Sequence, residues 1–269
     1  MQKQVKTLVE CSMMIALATV LSVVKLVEMP YGGSITIASM LPIVLISYRH
    51  GVKYGVASGL VYGVIQQLLG LSNLSYMTTW YSVVAVILLD YLLAFAVIGL
   101  AGVFRSRVKG QSLALFSGVI LTTVLRYVLH TIAGATVWAG VSIPTAAVLV
   151  YSIGYNATYM LPELIILAVV TCYVGEMIDF EKEIPTRIRK KHEGTRYAYL
   201  FSALAGLFLV VGLIVDVCLI FPKIQMPDGS FSLVGLGSVN WIVVGIVSLI
   251  SFAISALFFF LSHGKTAEK

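Results

Sequence analysis

The sequence has few of the residues on which most enzymes and soluble proteins depend. Only 11% of its 269 residues are charged, against about 25% in soluble domains, so a soluble globular fold is excluded. Its four histidines and three cysteines lack metal-ligand spacing. The cysteines lie in apolar runs and are expected to be small buried hydrophobic residues. The alternation of a membrane β-barrel is also missing.

Long apolar runs dominate what remains. Mean hydropathy is +0.98, and several runs reach the roughly 20 residues that cross about 30 Å of hydrocarbon. The pattern predicts an all-α polytopic membrane protein with spans at 5–27, 34–48, 51–70, 80–103, 111–134, 144–177, 198–221 and 236–262. The second span is short and contains Pro42, so it is expected to be tilted, broken or only partly spanning.

One charged segment, at 179–197, divides the chain. It predicts a six-helix domain (1–177), a basic cytoplasmic linker (178–197) and a transmembrane hairpin with a tail (198–269), whose loop has a turn signal at Pro227-Asp228-Gly229. We expect the linker to lie along the anionic leaflet, with partner docking as the alternative.

The basic residues predict the orientation of the spans. Fifteen of the eighteen lysines and arginines fall on the side of the N-terminus, so both termini are expected to be cytoplasmic. The net charge of +6 then follows from membrane orientation, and nucleic-acid binding is not expected.

Small residues form two smooth stripes on the predicted helices. Gly51, Gly55, Gly59 and Gly63 recur at steps of four on the third span, where another helix could approach closely. Packing within the chain is favoured, and contact with a partner is the alternative. Ala18 and Ser22 on the first span form a weaker patch with the same two interpretations.

A phosphate-binding loop is not indicated. Gly264-Lys265-Thr266 resembles the end of such a loop, but Phe259 stands where its first glycine is required. We therefore expect no ATP hydrolysis by this chain.

Polar residues within the apolar spans are the strongest functional signal, because ionisable groups in a membrane are costly. Asp90 lies about 15 Å into the fourth span. His130, Trp138, Tyr151 and Asn156 lie at similar depth in or beside the next two spans. A carboxylate, an imidazole, aromatic faces and an amide together suit a flat heteroaromatic cation.

Other interpretations of these residues stay open. Asp90 could pair with Arg126, and His130, Trp138 and Tyr151 fit an interfacial aromatic belt. Tyr151 and Asn156 are five residues apart, about 140° around an ideal helix, so they do not share a narrow face.

Five segments in order resemble the thiamine-specific substrate-binding (S) component of energy-coupling-factor (ECF) vitamin transporters. They are Gly32-Gly33-Ser34, MLPIVLISYRHGVKYG (40–55), LDYLLAF (89–95), HTIAGATVW (130–138) and YSIGYNATYMLPE (151–163). The resemblance implies a six-helix membrane bundle, to which the C-terminal hairpin is an addition without an assigned role.

The resemblance also implies roles for single residues. Asp90 would contact the aminopyrimidine with Tyr91 beside it, His130 would lie against the thiazolium, and Trp138 would stack on a ligand ring. Hydrogen bonds would come from Tyr151 and Asn156. Tyr31 is the aromatic candidate for closing the first loop over the ligand, and Ala18 and Ser22 would dock a shared transmembrane subunit.

The resemblance finally implies a transport subunit of the bacterial plasma membrane, not an enzyme. It would capture extracellular thiamine without a cofactor, and uptake would be driven by a separate module of two ATPases and a coupling subunit. Without a cationic cluster on the outer face, unphosphorylated thiamine is favoured. An ion-coupled secondary transporter of a small organic cation is the alternative, disfavoured because no internal repeat is visible. A membrane-embedded hydrolase lacks paired catalytic residues.

Overall fold

Helices make up most of the computed structural model, which describes residues 2–29, 32–139, 148–188, 198–224, 226 and 232–263. They are α1 Gln2–Val23, α2 Leu41–His50, α3 Val52–Leu69, α4 Trp80–Phe104, α5 Gln111–Thr136, α6 Val148–Met177, α7 Ala198–Ile224 and α8 Trp241–His263. Short 3-10 turns follow α3 at Leu71–Tyr76 and precede α8 at Leu233–Ser238.

Six of these helices are long and apolar enough to cross a membrane, namely α1 and α4 to α8. The predicted multi-pass helical membrane protein is therefore confirmed, although α3, the third predicted span, is not among the six. The second predicted span is not a full crossing, because α2 has ten residues and is only about 15 Å long. It begins beside Pro42, a residue favoured in the first turn of a helix, and most of its side chains are buried in the bundle.

A β-hairpin replaces the helical ends that were predicted at 24–27 and 34–36. Strand β1 (Lys25–Glu28) pairs antiparallel with β2 (Ser34–Thr36). Gly32 and Gly33 precede β2 with φ of +98° and +88°, a conformation that favours glycine. A Cβ on Gly33 would lie 3.0 Å from the Tyr159 ring, so the hairpin packs directly against α6.

Three glycines of the predicted stripe pack within the chain, as favoured from the sequence, whereas Gly51 precedes α3 and has nothing within 4 Å of its Cβ position. A Cβ on Gly55, Gly59 or Gly63 would lie 2.4–2.7 Å from a carbonyl oxygen of α4. The carbonyls belong to Gly99, Phe95 and Tyr91 respectively. The contact at Gly63 falls in the segment of α4 that forms π-helical turns, Ile87–Leu93. It therefore fixes the part of α4 that carries Asp90 and Tyr91.

Replacing Gly59 with alanine is expected to destabilise the bundle by about 1–3 kcal/mol, the usual cost of overpacking. The new methyl group would lie 2.4 Å from the Phe95 carbonyl oxygen, and backbone cannot yield as a flexible side chain does. Thermal unfolding in detergent measures the effect. Gly245→Ala is the matched control, because nothing lies within 4 Å of its Cβ position. Equal melting temperatures for the two variants would contradict the prediction.

The C-terminal helices α7 and α8 form a hairpin with specific contacts. Ser248 donates a 2.6 Å hydrogen bond to Asp216, and Phe208 stacks on Phe258 at 5.6 Å. The hairpin packs on α6 at Gly206, where a Cβ would lie 2.4 Å from Val169. The turn signal at Pro227-Asp228-Gly229 lies outside the described residues.

Residues 178–188 of the predicted linker fold against the end of the bundle. Ile178–Asp179 pairs with Thr186–Arg187. Arg49 binds Glu10 and donates to the carbonyl oxygens of Phe180 and Lys182 at 2.9 and 3.2 Å. The rest of the linker lies outside the described part of the chain, so contact with lipid stays a prediction.

Candidate ligand-binding site

A cavity of about 940 Å³ lies inside the bundle, beside the β-hairpin. Its wall is formed by the C-terminal end of α1, the hairpin, the facing sides of α3 to α6, and one residue of α7. Of the predicted ligand contacts, Asp90, Tyr91, His130, Trp138 and Asn156 line it. The convergence predicted from depth in the membrane is therefore seen in the structure for four residues, Asp90, His130, Trp138 and Asn156, while Tyr91 was expected from the resemblance.

Asp90 is the centre of the polar site. Its Oδ1 lies 2.8 Å from His130 Nδ1, and its Oδ2 accepts a 2.8 Å hydrogen bond from Trp138 Nε1. Since a carboxylate only accepts, His130 carries its hydrogen on Nδ1 in this contact. The Asp90 and His130 side chains are only 14% and 11% exposed. Both carboxylate oxygens are thus fixed in orientation within a mostly buried part of the wall.

Tyr91 is held by a residue that the sequence did not indicate. Asn73, in the turn after α3, donates a 3.0 Å hydrogen bond to the Tyr91 hydroxyl. Gly70 leaves room for this contact, because a Cβ there would lie 2.5 Å from the same hydroxyl. A lone asparagine in a polar turn gives no sequence signal, so Asn73 emerges only from the fold.

On α6, Asn156 and Tyr151 have different positions, as their angular separation implies. Asn156 lines the cavity, donates to Ser152 O at 2.9 Å and accepts from the Tyr159 hydroxyl at 2.8 Å. Tyr151 packs instead against the cluster of Val86, Ala133 and Trp138. Among the described residues Tyr151 is not part of the cavity wall, so its contact with a ligand stays a prediction.

Arg126 pairs with Glu163, and not with Asp90 as one alternative proposed. Arg126 Nη1 lies 3.7 Å from Glu163 Oε2, and the guanidinium lies over the Phe95 ring at 5.0 Å. Thr36 donates a 2.9 Å hydrogen bond to the other oxygen of Glu163. Both Arg126 and Glu163 line the cavity. Glu163 was part of a quoted motif but had not been singled out.

The charged side chains on the described wall are negative on balance. The cations Lys25 and Arg126 are paired with Glu28 and Glu163. Asp90 is the remaining carboxylate, and its described partners are His130 and Trp138 rather than a lysine or arginine. A cationic ligand would therefore gain a favourable interaction at Asp90 that an anionic ligand would not.

The remaining predicted residues lie elsewhere. Tyr31 lies outside the described residues. Ala18 is fully buried and Ser22 is 7% exposed. Ser22 accepts a 2.8 Å hydrogen bond from Gln66 of α3 and lines the cavity. Ala18 and Ser22 thus face the bundle interior, so neither is accessible to a partner subunit in this structure.

Known proteins match much of this chain in sequence. Residues 8–180 match the family model described as thiamine transporter protein (Thia_YuaJ). Thiamine transporter ThiT of Bacillus subtilis (strain 168) is 39% identical over 181 residues, 63% of this chain and 90% of that protein. Thiamine transporter ThiT of Lacticaseibacillus paracasei (strain ATCC 334) is 26% identical over 170 residues, 57% of this chain and 79% of that protein.

A solved structure supports the fold in particular. ThiT from Listeria monocytogenes aligns with a TM-score of 0.53 and 24% identity, over 64% of this chain and 94% of that one. The family model covers the first six helices, and the curated relative from B. subtilis matches nearly over its whole length. The chain therefore belongs to the thiamine transporter protein family, Thia_YuaJ.

Proposed function

We propose that this chain is the thiamine-binding membrane component of an energy-coupling-factor vitamin transporter. The observation that carries the proposal is Asp90, a mostly buried cavity carboxylate held by His130 and Trp138 without a lysine or arginine partner on the described wall. Thiamine offers a thiazolium cation and an aminopyrimidine, and both complement such a carboxylate. Membership of the thiamine transporter family supports the same ligand.

Each cavity residue has a distinct role in this proposal. Asp90 accepts from the aminopyrimidine, with Tyr91 beside it. His130 lies against the thiazolium, and Trp138 stacks on a ligand ring, where cation–π attraction is worth about 2 kcal/mol when water is excluded. Asn156 and Tyr151 hydrogen bond the ligand, and Tyr151 also packs against the cluster that contains Trp138. Tyr31 closes the first loop.

Transport requires partners in this proposal. The chain is a non-enzymatic, multi-pass membrane subunit of the bacterial plasma membrane that binds no cofactor. A module of two ATPases and a coupling subunit supplies the energy. Both termini are cytoplasmic, so the cavity lies towards the extracellular face.

The purified chain is expected to bind thiamine without ATP, and more tightly than thiamine monophosphate by at least about tenfold. A phosphate brings negative charge towards a wall on which both described cations are already paired, and a tenfold change requires only about 1.4 kcal/mol. Calorimetric titration of the chain in detergent with thiamine, its monophosphate and its pyrimidine moiety measures the three affinities. Equal affinity for thiamine and its phosphate would contradict this choice of ligand.

Uptake into liposomes distinguishes the proposal from an ion-coupled secondary transporter. The chain alone, under an imposed proton or sodium gradient, is expected to accumulate no thiamine. Uptake should appear when the energy module and internal ATP are added. Gradient-driven uptake by the chain alone would favour the secondary transporter instead.

A further inference from the structure

The C-terminal hairpin contributes to the ligand cavity, although the family match ends at residue 180. Phe221, near the end of α7, lines the same cavity as Asp90 and Trp138. We propose that this hairpin completes the binding site and that Phe221 is an additional ligand-binding residue. The inference rests on the proposed function, because thiamine is the ligand whose binding Phe221 would improve.

One face of α7 brings Phe221 to the cavity. Gly206, Val210, Val217 and Phe221 fall within about 60° around an ideal helix. Val210, Val217 and Phe221 pack against the buried core of the six-helix part. Gly206 allows the close approach to α6, because a Cβ there would clash with Val169. The helix is therefore docked along several turns, which fixes where Phe221 meets the wall.

Contacts within the hairpin hold that face in place. Asp216 accepts a hydrogen bond from Ser248 of α8 at 2.6 Å. Gly212 accommodates Ser251, since a Cβ there would lie 2.2 Å from the serine hydroxyl. Much of the outer face of α8, including Ile242, Leu249 and Phe252, is exposed and suited to lipid. The hairpin thus has an inner face towards the six-helix domain and an outer face towards the membrane.

The phenyl ring suits a ligand with a cationic ring. Its face attracts positive charge, and its apolar surface excludes water, which strengthens the attraction between Asp90 and a cation. In the first loop Tyr31 is the aromatic candidate, and it lies outside the described residues. Phe221 adds an aromatic surface from a segment that the family model does not cover.

Phe221→Ala tests the inference in the full-length protein. We expect the Kd for thiamine to rise about five- to tenfold, mainly through faster dissociation. Phe221→Leu keeps apolar surface without the ring and should give an intermediate loss. Val217→Ala is a control on the same face of α7, and Phe252→Ala is a control for the same change at a side chain that is 64% exposed. Both controls are expected to stay within about twofold of the parent.

Titration and stopped-flow dissociation of thiamine give the decisive comparison. Circular dichroism and thermal unfolding show which variants are folded, and Phe221→Leu keeps the test open if the alanine variant is not. Parent-like binding by folded Phe221 variants overturns the inference and leaves the proposed function intact. An equal loss in Val217→Ala also overturns it, because docking of α7 alone would then account for the effect. A parent chain that fails to bind thiamine overturns the proposed function instead.

Discussion

Asp90→Asn is expected to weaken thiamine binding about 100-fold or more. The substitution removes the charge of a carboxylate that has no lysine or arginine partner on the described wall. It also leaves a single acceptor oxygen where the carboxylate accepts from both His130 and Trp138. A hydrogen bond to a charged group is worth about 1.5–3 kcal/mol, and each 1.4 kcal/mol is about tenfold in affinity. Calorimetric titration with thiamine measures the change.

Two companion variants show which property of Asp90 matters. Glu28→Gln removes a carboxylate from the same cavity wall, but Glu28 is paired with Lys25 and 67% exposed, so affinity should change less than about threefold. Trp138→Phe keeps an aromatic face and removes the indole N–H donated to Asp90, so an intermediate loss is expected. If Asp90→Asn binds thiamine like the parent, Asp90 is not the partner of the cation.

The membrane fold and the centre of the site could be predicted from the sequence. Apolar run length identifies the six long helices, because hydrocarbon thickness fixes how many residues a crossing needs. It also predicted crossings at 34–48 and 51–70, where α2 and α3 are not among those six. Counting residues along the spans places Asp90, His130 and Trp138 at similar depth in the membrane, because each helical residue advances about 1.5 Å. The glycine stripe on α3 could also be assigned to packing, because its step of four produces one smooth face.

Other features depend on contacts between segments distant in sequence. The β-hairpin forms where apolar composition predicts helix. Its position depends on the packing of Gly33 against the Tyr159 ring of α6, far along the sequence. The sequence does not indicate whether Ala18 and Ser22 face the bundle interior or a partner subunit, and in the structure both face the interior. The sequence also does not decide which carboxylate pairs with Arg126, because Asp90 and Glu163 both lie in predicted spans and only the fold brings Glu163 close to Arg126.

The Arg126–Glu163 pair makes a second strong prediction, on stability rather than binding. Arg126→Met is expected to destabilise the protein by about 3–5 kcal/mol, the cost of breaking a buried ion pair. The two side chains are 6% and 7% exposed. Without Arg126, the Glu163 carboxylate would retain the Thr36 hydroxyl as its described donor. Thermal unfolding in detergent without thiamine measures the loss, which at this chain length is on the order of 10 °C.

A second substitution should reverse most of that loss. In Arg126→Met with Glu163→Gln, no charge remains at the pair, and the glutamine oxygen still accepts from Thr36. Arg107→Met is the control, because Arg107 is exposed and its guanidinium donates to Val103 O, four residues earlier in the chain. A double variant that melts no higher than Arg126→Met would show that the guanidinium stabilises the bundle through Phe95 and Met40 rather than by neutralising Glu163. Recovery in the double variant would instead assign the loss to the uncompensated Glu163 carboxylate.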